Sequence, residues 1–280
     1  MFSDVLLTVD FDRTLTGPDS TIPQRNIEAI RYFTQNGGAF TLNTGRSVNT
    51  VGPLLDTLPV NAPFLLYNGS AAYDKGQLIN CHRLQIDLWE AVDGMHTNFP
   101  FLNIEIQSAG PHLLYKVDKE FEILCDKLGW ARQEAVPGTP VDPVLKIALF
   151  GRVHDHTVGS FYTGEPWEME EMDKAEAWIQ EHYGDKVVVF RAAPRILDVH
   201  AKGVSKGNAA RQLQQQMGRK ILVCVGDGDN DISMLEGADY AFCPADSILT
   251  DRFESVCNCT EGAVADVIYK KIPKILQIQP

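Results

Sequence analysis

Hydrophobic residues in the first eighty positions fall into two alternating spacings. Val5-Leu6-Leu7-Thr8-Val9 is a short apolar run rich in β-branched side chains, which predicts a strand buried on both faces. Pro23 can then open a helix in which Ile27, Ile30 and Phe33 recur at helical spacing, until Gly37-Gly38 stops it. Ala39-Phe40-Thr41-Leu42-Asn43 predicts a second strand. Ser47 caps an amphipathic helix carrying Val48, Val51, Leu54 and Leu55. Phe64-Leu65-Leu66-Tyr67 predicts a third strand, running into the turn Asn68-Gly69-Ser70. Strand and helix in alternation predict an α/β fold, a Rossmann-like parallel sheet with right-handed crossovers.

From 83 to 200 the alternation breaks down. Helical patterns near 88–95, 118–128 and 168–183 mix with strand patterns near 102–106, 113–116, 145–150, 187–190 and 196–199. This predicts an inserted α+β cap domain at 83–200, dividing a core made of 1–82 and 201–280. The Val136-Pro137-Gly138-Thr139-Pro140 segment is a loop within the insertion, and a boundary there is the alternative parse. The core resumes at a helix capped by Ser205, with Ala209, Ala210, Leu213 and Met217 on one face. Lys206 stands in its first turn, where the helix dipole disfavours a cation, so a bound anion or acids from another segment would explain it.

The chemistry-bearing residues collect at predicted strand ends. Asp10 and Asp12 follow the first strand, and Thr44 follows the second. The apolar run 221–225 leads into Gly226-Asp227-Gly228-Asp229-Asn230-Asp231. Open α/β sheets bind ligands at such ends. Two acids one residue apart resist joint ionisation unless a cation sits beside them or one holds a proton. The late acidic turn is no calcium loop, because its twelfth position, counted from Asp227, is Ala238 rather than glutamate. Nor is it a phosphate loop, since it has no Gly-Lys-Ser/Thr. A turn for a hard cation remains.

Composition narrows the partners. With 25 basic and 37 acidic side chains the net charge is −12, which repels nucleic acid and anionic membranes. The six cysteines are scattered, and Cys257-Asn258-Cys259 has no second pair at zinc-site spacing, so a reducing compartment fits. No leader or membrane-spanning run is evident. A soluble cytoplasmic protein is expected, as a monomer or small homo-oligomer, acting on a small ligand without nucleic acid or membrane.

Together, Asp10-x-Asp12-x-Thr14, Thr44, Lys206 and Gly226-Asp227-x-x-x-Asp231 resemble the four ordered motifs of the haloacid-dehalogenase-like superfamily. The Asn68-Gly69 turn, the large insertion and the glycine-acid run ending in Met234-Leu235 resemble its Cof-like sugar-phosphatase branch. The motifs lie in 1–82 and 201–280; the insertion is similar only in length and rough content. The resemblance implies a Mg2+-dependent phosphatase acting on a small phosphomonoester, a sugar phosphate or phosphorylated metabolite. Asp10 would be the nucleophile forming an aspartyl-phosphate, and Asp12 the acid and base. Mg2+ would be held by Asp10, the Asp12 carbonyl and Asp227, with Asp231 as a further or water-mediated ligand. Thr44, Asn230 and Lys206 would hold the phosphoryl group. The inserted cap would contact the leaving group, with Arg152, His154, His156, Arg191 and Arg195 as candidates. A phosphomutase of the phosphomannomutase type and a catalytically idle binding protein are the alternatives. Two positions depart from the pattern: Arg13 stands where glycine is common, and Cys243-Pro244-Ala245-Asp246 replaces a Gly-Asn-Ala type turn.

Overall fold

The computed structural model describes residues 1–55 and 58–277. The chain divides into two units. One comprises Met1–Arg46, Val51–Asn80 and the chain from Ser205 onward; the other comprises Ser47–Thr50 and Cys81–Val204. Along the chain come β1 (Val5–Val9), α1 (Gln24–Gln35), β2 (Ala39–Leu42), α2 (Val48–Leu55), whose first residues are assigned to the second unit, β3 (Phe64–Leu66), β4 (Ala71–Asp74) and β5 (Gln77–Cys81). The insertion follows with α3 (Leu88–Asn98), β6 (Asn103–Gln107), β7 (His112–Tyr115), α4 (Lys119–Leu128) and β8 (Arg132–Glu134). It continues with β9 (Lys146–Phe150), α5 (Pro166–Tyr183), β10 (Val187–Ala193) and β11 (Ile196–Ala201). The first unit resumes with α6 (Lys206–Gln216), β12 (Ile221–Val225), α7 (Ile232–Glu236), β13 (Tyr240–Cys243), β14 (Glu254–Ser255), α8 (Ala263–Asp266) and α9 (Ile272–Ile275). The expected side chains of Leu54 and Leu55 lie outside the described residues.

The core sheet has the order β14-β13-β12-β1-β2, and every pairing in it is parallel. β1 lies between β12 and β2 and all five of its residues are buried, which is why its sequence is a continuous apolar run rather than an alternation. Its register sets Val9 opposite both Val225 and Leu42, so three strands end at the same level. The chain leaves β1 for β2 on one side, while β12 lies on the other, which opens a crevice at this topological switch point. Leu6, Leu222 and Cys224 pack with Ala209, Ala210 and Leu213 of α6 and with Met234 and Leu235 of α7. Buried Asn26 of α1 pins the first loop to the C-terminal helices: its amide donates to the Leu15 carbonyl at 3.0 Å and its oxygen accepts from the Ala265 N–H at 2.9 Å.

The inserted unit is a six-stranded sheet ordered β10-β11-β9-β6-β7-β8, antiparallel except for β7 with β8. Ile104, Ile106, Ile147, Leu149, Leu197 and Val199 form one face and pack on Ala91, Val92 and Met95 of α3 and on Met172, Ala175 and Ile179 of α5. Alternate positions point the other way. There, Ala148 and Phe150 meet Phe121, Leu124 and Cys125 of α4. The segment 136–140 lies within this unit. The pattern did not predict β4, β5, β8, β13 or β14; β5 and β8 are mostly exposed, and neither carries an apolar period of 2 to announce it.

Candidate active site

The end of β1 delivers Asp10 into a tight loop, Phe11–Leu15, anchored by the Asp10 N–H on the Val225 carbonyl at 2.9 Å. Within it Arg13 has φ +57°, a left-handed conformation that costs a side-chain-bearing residue about 1 kcal/mol and glycine almost nothing. That is the physical content of the glycine preference from which this sequence departs. Beyond β12, Gly226 lets the chain turn against Asp231: a Cβ there would stand 2.6 Å from the Asp231 side chain.

These turns bring Asp10, Asp227 and Asp231 together, with one carboxylate oxygen from each within 4.8 Å of the others. Lys206 joins them from the first turn of α6, whose Ser205 cap accepts the Asn208 N–H at 3.0 Å. Its Nζ lies 2.5 Å from Asp10 Oδ1 and 2.6 Å from Asp231 Oδ1, with the ammonium fully buried. The acids of other segments thus account for a cation at the wrong end of a helix. Burial by itself would lower the Lys206 pKa, but Asp10 and Asp231 more than offset it and hold the amine charged.

One ammonium does not balance three carboxylates. Burial pushes Asp10 well above the ordinary carboxylate range, Asp231 pushes it further, and Asp227 and Asp12 add to this against the opposing pull of Lys206. Burial and then Asp231 raise Asp227 to about 6, although the Thr14 hydroxyl donates to its Oδ1 at 2.9 Å. If all three acids are ionised the group carries −2 with Lys206, a charge that one divalent cation cancels. Hard carboxylate oxygens, without His or Cys, suit Mg2+. Asp231 also has its second oxygen committed, accepting the backbone N–H of Asp227 at 3.0 Å and of Gly228 at 3.1 Å.

The other expected residues are placed as follows. Thr44 is buried after β2, and its hydroxyl accepts the Arg46 N–H at 3.2 Å. The Asn230 amide donates to Asn68 Oδ1 at 3.3 Å, and the Asn68 N–H donates to the Thr44 carbonyl at 3.0 Å. Asp12 is paired with Arg46, whose Nε is 2.8 Å from Oδ2 and Nη2 2.6 Å from Oδ1. Sequence reasoning missed Arg46 and took Asn68 only as a turn residue. Arg46 lies two positions after Thr44, and Asn68 opens the Asn68-Gly69 turn, but nothing in their spacing marks a role at the site. Where the Gly-Asn-Ala type turn is replaced, Ser247 supports the cluster by donating to the Asp227 carbonyl at 2.9 Å.

The sequence profile of haloacid dehalogenase-like hydrolases matches residues 7–260. The chain belongs to this family. It is of the Cof type and is a phosphoric monoester hydrolase. The HMP-PP phosphatase of Serratia proteamaculans is 22% identical over 280 residues, covering 93% of this chain and 92% of that protein. The 5-amino-6-(5-phospho-D-ribitylamino)uracil phosphatase YwtE of Bacillus subtilis is 25% identical over 252 residues, covering 84% and 85%. Among solved structures, the subclass IIB sugar phosphatase BT4131 superposes with a TM-score of 0.72 at 19% identity, over 98% of this chain and 99% of that one.

In the inserted unit of this hydrolase, the five side chains named as candidate contacts for a leaving group each have partners within their own unit. Arg195 is fully buried, donating to the Thr163 and Arg152 carbonyls at 2.7 Å, to Glu168 at 3.0 Å and to the Ser160 carbonyl. His154 sits 3.0 Å from Glu168, Arg152 pairs with Glu171 at 2.5 Å, and His156 with Glu120 at 2.5 Å. Arg191 is 2.7 Å from both Asp173 and Glu176. No helix among the described residues is long and apolar enough to cross a membrane.

Proposed function

We propose that this hydrolase is a Mg2+-dependent phosphatase releasing phosphate from a small phosphomonoester, a sugar phosphate or phosphorylated metabolite, through an aspartyl-phosphate at Asp10. The observation that carries this is the cluster of buried Asp10, Asp231 and Lys206 with half-buried Asp227, whose uncompensated negative charge asks for a divalent cation. Asp10, the Asp12 carbonyl and Asp227 would hold the ion. Asp231, with both oxygens engaged, serves to anchor Lys206 and the 226–228 turn. Bound there, the cation would neutralise the phosphate oxygens and offset the repulsion between carboxylate and substrate.

An Asp10 oxygen attacks phosphorus in line while the bond to the leaving oxygen breaks, and the Asp12 carboxyl gives that oxygen its proton. Asp12, now a carboxylate, takes a proton from the water that attacks the phospho-Asp10. Phosphate leaves, and both acids return to their starting states. Lys206 stays charged throughout and balances Asp10 as the phosphoryl group arrives, while Thr44 and Asn230 donate to its oxygens. The phosphatase names of the relatives support a small phosphorylated metabolite as substrate, and the size of the insertion supports a role for it in choosing among them.

The test is phosphate release from a panel of phosphorylated sugars, nucleotides and cofactor precursors, with Mg2+ or with EDTA. Hydrolysis is expected only with the metal, and Asp10→Ala should reduce it by about 10⁴-fold or more. Unchanged release by Asp10→Ala would remove Asp10 as nucleophile, and phosphoryl transfer between hexose positions without net release would mark a mutase.

A further inference from the structure

Arg46 has no role in the mechanism above, yet it holds the group that moves the proton. Its guanidinium meets Asp12 as a fork, one nitrogen on each carboxylate oxygen at 2.8 and 2.6 Å. Its Cζ lies 4.8 Å from the centroid of the Phe11 ring, which is fully buried and therefore a fixed shelf. A planar cation stacked on an immobile ring and chelating both oxygens fixes the plane of a carboxylate, which a lysine at the same place could not do. Asp12 needs such help. It lies in an irregular loop with its side chain 46% exposed, so its own backbone and packing leave the carboxyl free to rotate.

A proton donor works only when its oxygen is within hydrogen-bond reach of the acceptor. Resting on the phosphatase reading, we propose that Arg46 is a positioning residue for proton transfer: its stacked guanidinium orients the Asp12 carboxyl toward the leaving oxygen and receives the carboxylate once the proton has gone. One prong must open for each transfer, because a carboxyl with both oxygens in the fork has none to offer. The other prong keeps the plane. In the balanced step, the phosphorus bond to the leaving oxygen breaks, the Asp12 proton passes to that oxygen, and the resulting carboxylate closes back on the fork.

The experiment compares Arg46→Gln and Arg46→Lys with the native chain across esters graded from p-nitrophenyl phosphate to simple alkyl phosphates. The parameter is kcat/KM, which reports steps only through cleavage of the ester bond. A nitrophenolate leaves with little protonation, whereas an alkoxide needs the proton. Both variants should therefore lose on the order of 10²-fold on alkyl esters, and less than about tenfold on the nitrophenyl ester. A loss equal across the series would overturn the proposal, since it would mean that Arg46 binds phosphate or supports the fold. So would no loss at all. If Arg46→Gln does not fold, judged by its unfolding midpoint, Arg46→Lys keeps the charge and carries the comparison alone. A native chain inert toward every ester would instead overturn the phosphatase reading and this proposal with it, an outcome distinct from an active chain with a flat series.

Discussion

The two units bury charge in opposite ways. In the inserted unit the buried Arg195 meets Glu168, Lys146 meets Asp198 at 3.0 Å, and the His112 ring lies 2.6 Å from Glu105. Glu168 ends below the ordinary carboxylate range, because the Glu165 N–H, His154 and Arg195 together outweigh a burial that by itself would raise it. At the end of β1 the balance is left open: three carboxylates share one ammonium, and two of them are pushed upward. Desolvating unbalanced charge destabilises a fold, so it persists where a ligand completes the balance. Counting cations does not find a site; counting imbalance does.

The sharpest way to break this contrast is to remove the ammonium that the three carboxylates share. Lys206→Met leaves Asp10 and Asp231 buried without it, and is expected to cost about 3–5 kcal/mol in the metal-free chain. Phosphate release should fall by at least about 10²-fold. Denaturant unfolding beside the phosphate assay checks both, and a variant active at native rates would end the role given to Lys206. The matching substitution in the other unit is Arg195→Met, which takes the buried guanidinium away from Glu168 and from the Thr163, Arg152 and Ser160 carbonyls. It should cost a similar 3–5 kcal/mol, but kcat measured per folded molecule should stay within about threefold of native. A collapse of kcat in a folded Arg195→Met chain would show that the inserted unit's internal pairs also serve the chemistry.

The smallest effect is on pH, and its sign differs between the units. Asp227, raised to about 6 in the folded chain, binds its proton more tightly folded than unfolded. Its cost is absent below about 4 and appears as pH rises to about 6, so metal-free stability falls over that range, and Mg2+ should recover it. His200 is buried and held well below its ordinary range, by burial first and then by Lys146. Unfolded, it takes up a proton below about 6.5, so it contributes stability above that pH and loses it as pH falls. Thermal unfolding between pH 4 and 8, with EDTA and with Mg2+, separates the two; His200→Gln should remove only the second slope.

What the sequence determined by itself was whatever is written in neighbouring residues. The apolar runs of β1 and β12 predicted buried parallel strands, because burial on both faces leaves no room for polar alternation. The Asp10-x-Asp12 and Gly226–Asp231 stretches marked strand ends rich in acid. The α5 and α6 helices followed from period and cap. Tertiary structure alone decided which distant groups meet. The register of Val9 with Val225 and Leu42 set the acids side by side, and the packing of α6 pointed Lys206 between them. The fork of Arg46 on Asp12 joins residues 34 positions apart, and no local spacing announces it. It also decided that Arg195 serves the fold. A buried arginine and a surface arginine are the same letter in a sequence, and only the carbonyls and carboxylate that close around one of them tell the two apart.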